Sequence, residues 1–201
     1  MIAVIDYGAG NLYSLCNSLR HLGIEYTVTA SEAQIDRADR VILPGVGAFR
    51  DAMEKLEGAG VVPAIRHSAA AGKPLLGICL GMQILFERGY EFGECAGLGL
   101  IPGEVRQLTA PGLKIPHMGW NELKIQNPCA LTQGMGEGEY FYFVHSFCAH
   151  TEERYISLYT EYGEKIPALV HSGCVYGAQF HPEKSARAGL RILKNFAELR
   201  A

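Results

Sequence analysis

Short apolar runs alternate with longer segments of helical spacing through the first half of the chain. Ile2-Ala3-Val4-Ile5 precedes Asn11 to Leu22, where Leu12, Leu15, Leu19 and Leu22 recur at three and four residues before Gly23 ends the pattern. This predicts a buried strand feeding a helix with one apolar face. The strand signal returns at Tyr26-Thr27-Val28, Val41-Ile42-Leu43 and Leu75-Leu76-Gly77-Ile78. Unbroken apolar strands with helices between them predict a parallel sheet covered on both faces, with ligands gathering beyond the strands' carboxyl ends.

The second half has a different rhythm. Glu104 to Leu108, Tyr140 to Val144, Tyr155 to Tyr159, Ala168 to Val170 and Val175 to Phe180 follow one another as strand-like runs, which predicts a partly antiparallel meander. A final helix is expected over Ala186 to Leu199, with Leu190, Leu193 and Phe196 on one face and Ser185 as its cap. No linker, repeat or low-complexity stretch interrupts the pattern, so residues 1–201 read as one domain. The expected fold is α/β, with a mixed, mostly parallel central sheet flanked by helices and an antiparallel part from the C-terminal half.

Composition narrows the function classes. A hydrophobic content of 48% with 19% charge is ordinary for a globular protein, and a net charge of -3 without a basic run lacks the footprint of nucleic-acid binding. The first charge comes at Asp6, too early for a signal segment, and no apolar run approaches the ~18 residues of a membrane span. A cytoplasmic protein is expected. Its six cysteines include no CxxC pair and are expected to stay reduced. His145, Cys148 and His150 lie close in sequence, but on one continuous strand His145 points away from the other two. No metal is expected on that ground, and no cofactor is expected.

The chemistry concentrates at Gly77-Ile78-Cys79-Leu80-Gly81-Met82-Gln83. A cysteine between glycines, where an apolar strand breaks into a helix, is the arrangement of a nucleophile elbow. Its thiol is presented at the sheet edge, where helix amides favour a thiolate. A hundred residues on, His181 and Glu183 stand two apart around Pro182, on one side of an extended chain, so that a carboxylate can orient an imidazole. Nucleophile, base and orienter are the parts that thiol catalysis requires. Pro44-Gly45-Val46-Gly47 ends another strand, and the amide of Val46 or Gly47 together with that of Leu80 is expected to form an oxyanion hole. Asp6-Tyr7-Gly8-Ala9-Gly10-Asn11-Leu12-Tyr13 begins like a dinucleotide fingerprint, but Tyr13 occupies its third glycine position. A glycine turn launching a helix is the simpler reading.

The Cys79 elbow, the Pro44 to Gly47 loop and the Phe180-His181-Pro182-Glu183 ending resemble the class I, triad-type glutamine amidotransferases. Asp6 to Leu12 and Pro116-His117-Met118-Gly119-Trp120-Asn121 are similar to the corresponding stretches in glutaminase subunits of imidazole glycerol phosphate synthases of histidine biosynthesis. The likeness runs in order along essentially the whole chain. It implies attack by Cys79 on the side-chain amide of glutamine, with His181 as acid and then base and Glu183 as its orienter. It further implies that the Gly45 to Gly47 loop and Leu80 receive the oxyanion, and that Gly47, Gln83, Glu91, His145, Ser146 and Phe147 hold the substrate. The ammonia would pass to a cyclase subunit in a heterodimer, for which Asn11, Met118, Trp120, Asn121, Tyr140 and Tyr142 are the candidate face and Pro116 to Asn121 the docking loop. Productive closure of the oxyanion loop is expected only with the loaded partner. A glutaminase serving another synthase, a different cysteine hydrolase on a similar sheet, and a catalytically silent glutamine sensor remain the alternatives.

Overall fold

Residues 1–199 are described by a computed structural model. The first half runs β1 (Ile2–Ile5), α1 (Leu12–His21), β2 (Tyr26–Thr29), α2 (Glu32–Arg37), β3 (Arg40–Gly45), α3 (Phe49–Gly58), α4 (Val62–Ala70), β4 (Leu75–Cys79) and the one-turn α5 (Leu80–Gln83). The four strands pair in parallel in the order β2-β1-β3-β4. Because side chains alternate across a strand, Val41, Leu43 and Leu75 pack with Phe49, Met53 and Leu56 of α3 and Ile65 of α4. Ile42, Leu76 and Ile78 face the opposite side, against Leu15 and Leu19 of α1. Both faces of β1, β3 and β4 are covered and these strands carry no polar face, whereas the edge strand β2 is polar and partly exposed.

The second half supplies β5 (Phe86–Gly89), β6 (Cys95–Ala96), β7 (Ile101–Gln107), β8 (His117–Glu122), β9 (Lys124–Ile125), β10 (Tyr140–His145), β11 (Phe147–His150), β12 (Ile156–Tyr162), β13 (Glu164–Ser172), β14 (Val175–Ala178) and α6 (Ala186–Glu198). β12, β13 and β14 make the expected antiparallel meander, and β14 then lies parallel to β4. Strands from both halves of the chain therefore share one eight-stranded mixed sheet, β2-β1-β3-β4-β14-β13-β12-β9. Ile192, Leu193 and Phe196 of α6 complete the core on the α1 side.

Three expectations need correction. The second-half runs do not form a single meander: β7 belongs with β11, β5 and β6 in a separate four-stranded sheet, and β10 pairs with β8 in a two-stranded ribbon. The division falls at Ser146, between the end of β10 and the start of β11, where its carbonyl accepts the Leu108 amide at 2.9 Å and the chain changes sheets. Pro116 to Asn121 is not a loop but mostly strand β8. Its mixed polarity is that of a ribbon with one face outward, burying His117 while Met118 and Trp120 are 62% and 52% exposed. Ser185 does not cap α6 with its side chain; its hydroxyl donates to the His181 carbonyl at 2.6 Å and accepts the Tyr142 amide at 3.0 Å. It thereby ties β10 to the turn that carries His181.

Candidate active site

Cys79 is the last residue of β4 and the residue before α5, with φ at +55°, a left-handed conformation that an ordinary side chain rarely adopts. The surrounding packing enforces it. A Cβ on Gly81 would lie 1.9 Å from the Leu43 carbonyl oxygen, and one on Gly77 would lie 2.5 Å from the Gly81 carbonyl oxygen. Only glycines let the helix fold back so closely on the strands, and the turn delivers Cys79 into a cleft of about 310 Å³. That volume is at the low end for small-molecule sites, ~300–1,000 Å³.

His181 enters the same cleft from beyond the carboxyl end of β14. Its Nδ1 lies 2.9 Å from Glu183 Oε1, and both side chains are 3% exposed. An ionised carboxylate only accepts, so the imidazole carries its proton on Nδ1 and turns Nε2, which makes no other hydrogen bond, to the reacting side. Burial by itself lowers the basicity of His181, but its interactions with Cys79 and Glu183 outweigh that and raise its pKa from 6.5 to about 9.

The Pro44 to Gly47 loop flanks the elbow because β3 and β4 are parallel neighbours, with Gly45 in register with Cys79. Val46, Gly47 and Leu80 line the cleft, whereas Gly45 lies behind it, against the Gly81 amide. Tyr7 anchors the loop from below: its buried hydroxyl donates to the Pro44 carbonyl at 2.9 Å. Burial, followed by the nearby charge of Cys79, raises the Tyr7 pKa, so the hydroxyl remains a donor. Nothing in the Tyr7 sequence context announces this role.

Gln83, Glu91, His145, Ser146 and Phe147 all line the cleft, as does Gly47. Several of their polar atoms are already engaged. Gln83 Nε2 donates to the Phe147 carbonyl and to Gln179 Oε1, both at 2.9 Å, leaving its Oε1 to face a ligand. Gln179 Nε2 in turn lies 3.9 Å from Cys79 Sγ as a donor. Glu91 Oε2 accepts the Phe49 amide at 2.8 Å, capping the start of α3 and keeping the other carboxylate oxygen for the cleft. His145 has both ring nitrogens occupied, by His117 and by the Phe147 carbonyl, so it serves as wall rather than ligand. Gln179, Tyr7 and His117 are the site residues that sequence reasoning missed. Gln179 carries a faint signal, a buried polar side chain at the end of an otherwise apolar strand, whereas His117 on the mixed strand β8 carries none.

The candidate partner face divides in two. Met118, Trp120, Tyr140 and Tyr142 share one side of the β8–β10 ribbon, with the Trp120 and Tyr142 rings 6.2 Å apart in a T-shaped pair. Asn121 lies on the other side and spends its amide internally, on His117 Nε2 at 3.3 Å and the Glu161 carbonyl at 3.2 Å. Asn11, half-buried at the start of α1, borders a small cavity with His181 and Glu183.

His145 does not join Cys148 and His150, but the single continuous strand from which this was expected is broken at Ser146: His145 ends β10 and the other two lie on β11. Glu164 does join them: one ligand atom from each of Cys148, His150 and Glu164 falls within 4.8 Å of the others. None of the three lines the active-site cleft. Among the described residues no helix is long and apolar enough to cross a membrane.

The family described as glutamine amidotransferase class-I matches residues 3–199. An imidazole glycerol phosphate synthase subunit HisH from Bacillus cereus (strain B4264) is 50% identical over 196 residues, covering 98% of this chain and 93% of its own. Among solved structures, one described as a glutamine amidotransferase superposes with a TM-score of 0.77 at 20% identity, covering 98% of each chain. PurLQS from Thermotoga maritima follows with a TM-score of 0.74 at 23% identity, covering 97% of this chain and 96% of its own. At these identities the two structures bear on the fold alone, whereas the Bacillus relative is similar in sequence almost end to end.

Proposed function

The chain belongs to the class-I glutamine amidotransferases, and we propose that within them it is the glutaminase subunit of an imidazole glycerol phosphate synthase. It hydrolyses glutamine and passes the ammonia to a cyclase subunit in histidine biosynthesis. The observation that carries the glutaminase reading is the meeting of Cys79 and the His181–Glu183 pair in one small cleft. The choice of synthase rests on 50% identity to a HisH subunit over 98% of the chain.

In the first half-reaction Cys79 Sγ attacks the carboxamide carbon of glutamine, and the oxyanion that forms lies between the Val46–Gly47 side of the cleft and the Leu80 amide. Leu80 is the first residue of α5, where a backbone N–H has no intrahelical acceptor. With its pKa near 9, His181 is protonated at neutral pH and its Nε2–H delivers the proton to the departing nitrogen. Ammonia leaves and a thioester remains on Sγ. The now neutral Nε2 takes a proton from water, whose oxygen attacks the thioester and frees glutamate. Glu183 holds the ring in the productive tautomer throughout and stabilises its charged form.

The exposed side of the β8–β10 ribbon is the proposed seat of the cyclase. Met118, Trp120 and Tyr140 present large apolar surface there, of the kind that anchors protein interfaces. Gly47 has φ of +102°, so the loop beside Val46 has the backbone freedom to reorient when the partner is loaded.

The test is a pair of assays on Cys79→Ser assembled with the cyclase subunit. Glutamine-dependent formation of imidazole glycerol phosphate is expected to disappear while ammonium-dependent formation persists. Glutamine-dependent turnover in that variant would remove the nucleophile assignment. Failure of the unsubstituted chain to support the cyclase with glutamine would remove the pathway assignment.

A further inference from the structure

The chain crosses from the β8–β10 ribbon to the β7–β11 sheet at Ser146, and the crossing forms one wall of the glutamine cleft. The Ser146 carbonyl there is held by the Leu108 amide at 2.9 Å, so something else must fix the Phe147 carbonyl beside it. A buried row of side chains does so. His117 Nδ1 lies 2.9 Å from His145 Nε2, and His145 Nδ1 lies 2.9 Å from the Phe147 carbonyl. The second lone pair of that carbonyl receives Gln83 Nε2, also at 2.9 Å.

The direction of the row is determined from its ends. A carbonyl only accepts, so His145 carries its proton on Nδ1 and its Nε2 is an acceptor. His117 must then donate from Nδ1, which leaves its Nε2 to accept. The Asn121 amide supplies that donor from Nδ2 at 3.3 Å, and its orientation is fixed because Oδ1 accepts the Glu122 amide at 2.9 Å. Every proton has one place and no ring needs a charge. The His117 ring is clamped between Phe143 and Tyr162, stacked on them at centroid separations of 4.8 and 4.1 Å. Its burial, and that of His145, hold both pKa values at about 4, so the neutral arrangement persists across the physiological range.

We propose that His117, which does not line the cleft, is a positioning residue for glutamine binding: through His145 it pins the Phe147 carbonyl, and through that carbonyl the Gln83 carboxamide. The proposal rests on the glutaminase reading of the cleft. It assigns His117 no proton transfer; the row transmits position, because a change at one member leaves the next with an unpaired buried atom.

Two measurements test it. Long-range proton–nitrogen spectra of the unsubstituted chain at pH 7 are expected to show both His117 and His145 neutral with the proton on Nδ1. An Nε2–H tautomer or a charged ring at either position would overturn the direction. Steady-state glutaminase kinetics on the assembled synthase supply the second. His117→Leu keeps apolar bulk between Phe143 and Tyr162 but removes both polar atoms, and is expected to raise the KM for glutamine at least ~10-fold with kcat within about two-fold. His117→Asn retains an N–H donor at the position of Nδ1 and should recover most of that loss. An unchanged KM in His117→Leu, or a loss that His117→Asn does not mend, sinks the positioning role. Absence of glutaminase turnover in the unsubstituted assembly sinks the glutaminase reading and the positioning role together.

Discussion

Glu183 accepts the Nδ1 proton of His181 at 2.9 Å, with both side chains 3% exposed. In so dry a setting the carboxylate both selects the tautomer and supports the imidazolium that, in the proposed mechanism, protonates the leaving nitrogen. Glu183→Gln keeps the shape and removes the charge. Its kcat for glutamine hydrolysis is expected to fall by about 100-fold or more, with KM nearly unchanged, because the interaction matters most when the ring is charged. The His181 pKa should drop from about 9, which a pH–rate profile will register. A full-rate Glu183→Gln enzyme would show that His181 needs no orienter.

Gly81 meets the Leu43 carbonyl so closely that a Cβ would lie 1.9 Å from its oxygen. The Leu43 oxygen at that contact is backbone, which cannot swing aside as a side chain would. Gly81→Ala is expected to cost about 1–3 kcal/mol of stability or more and to displace the elbow. Thermal melts and glutaminase assays check this together, and a variant with unchanged Tm and unchanged turnover would mean the close approach is dispensable.

Tyr7 and Pro44 are joined by one buried hydrogen bond of 2.9 Å beneath the proposed oxyanion loop. Tyr7→Phe removes the donor and strands the Pro44 carbonyl, with an expected loss of ~1–3 kcal/mol in denaturant unfolding. Since Pro44 starts the loop that includes Val46 and Gly47, kcat should fall more than KM rises. An equal change in both would place the effect on substrate binding instead.

How much of this site the chain's sequence discloses depends on how far each residue's role is local. The elbow shows itself because Gly77, Cys79 and Gly81 answer to one sharp turn, and His181 with Glu183 because they are only two residues apart, although the step between them is a 3-10 turn over Pro182–Lys184 rather than the extended chain expected. The inner parallel strands β1, β3 and β4 show themselves by being apolar on both faces. The rest depends on pairings far apart in sequence. Gln83 and Gln179 meet across 96 positions, and His117 and His145 across 28. β8 hides its strand character because only one of its faces is buried and that face includes His117 and Gly119, so apolar alternation is lost. Asn121 resembles a surface contact until the β8–β10 register turns it inward.

The two neutral histidines carry a consequence for stability against pH. His117 and His145 have their pKa values lowered from 6.5 to about 4 in the folded chain, both chiefly by burial. Between about pH 4 and pH 6.5 the unfolded chain therefore binds more protons than the folded one. Stability contributed by keeping the two rings neutral is fully present above pH 6.5 and is lost as pH falls towards 4. His181 has the opposite sign, since its folded pKa is raised: its contribution is fully present below pH 6.5 and is lost as pH rises through about 9, leaving the acid limb unaffected. Urea unfolding between pH 4.5 and 6.5, at the order of half-unit steps, should show a proton uptake approaching two from this pair, on top of any carboxylate contribution near the acid end. In His117→Leu the uptake in that window should fall by about one proton, whatever the variant's absolute stability. An unchanged slope would mean that His117 is already charged in the folded chain, which the one-directional row of hydrogen bonds from Asn121 to Phe147 does not allow.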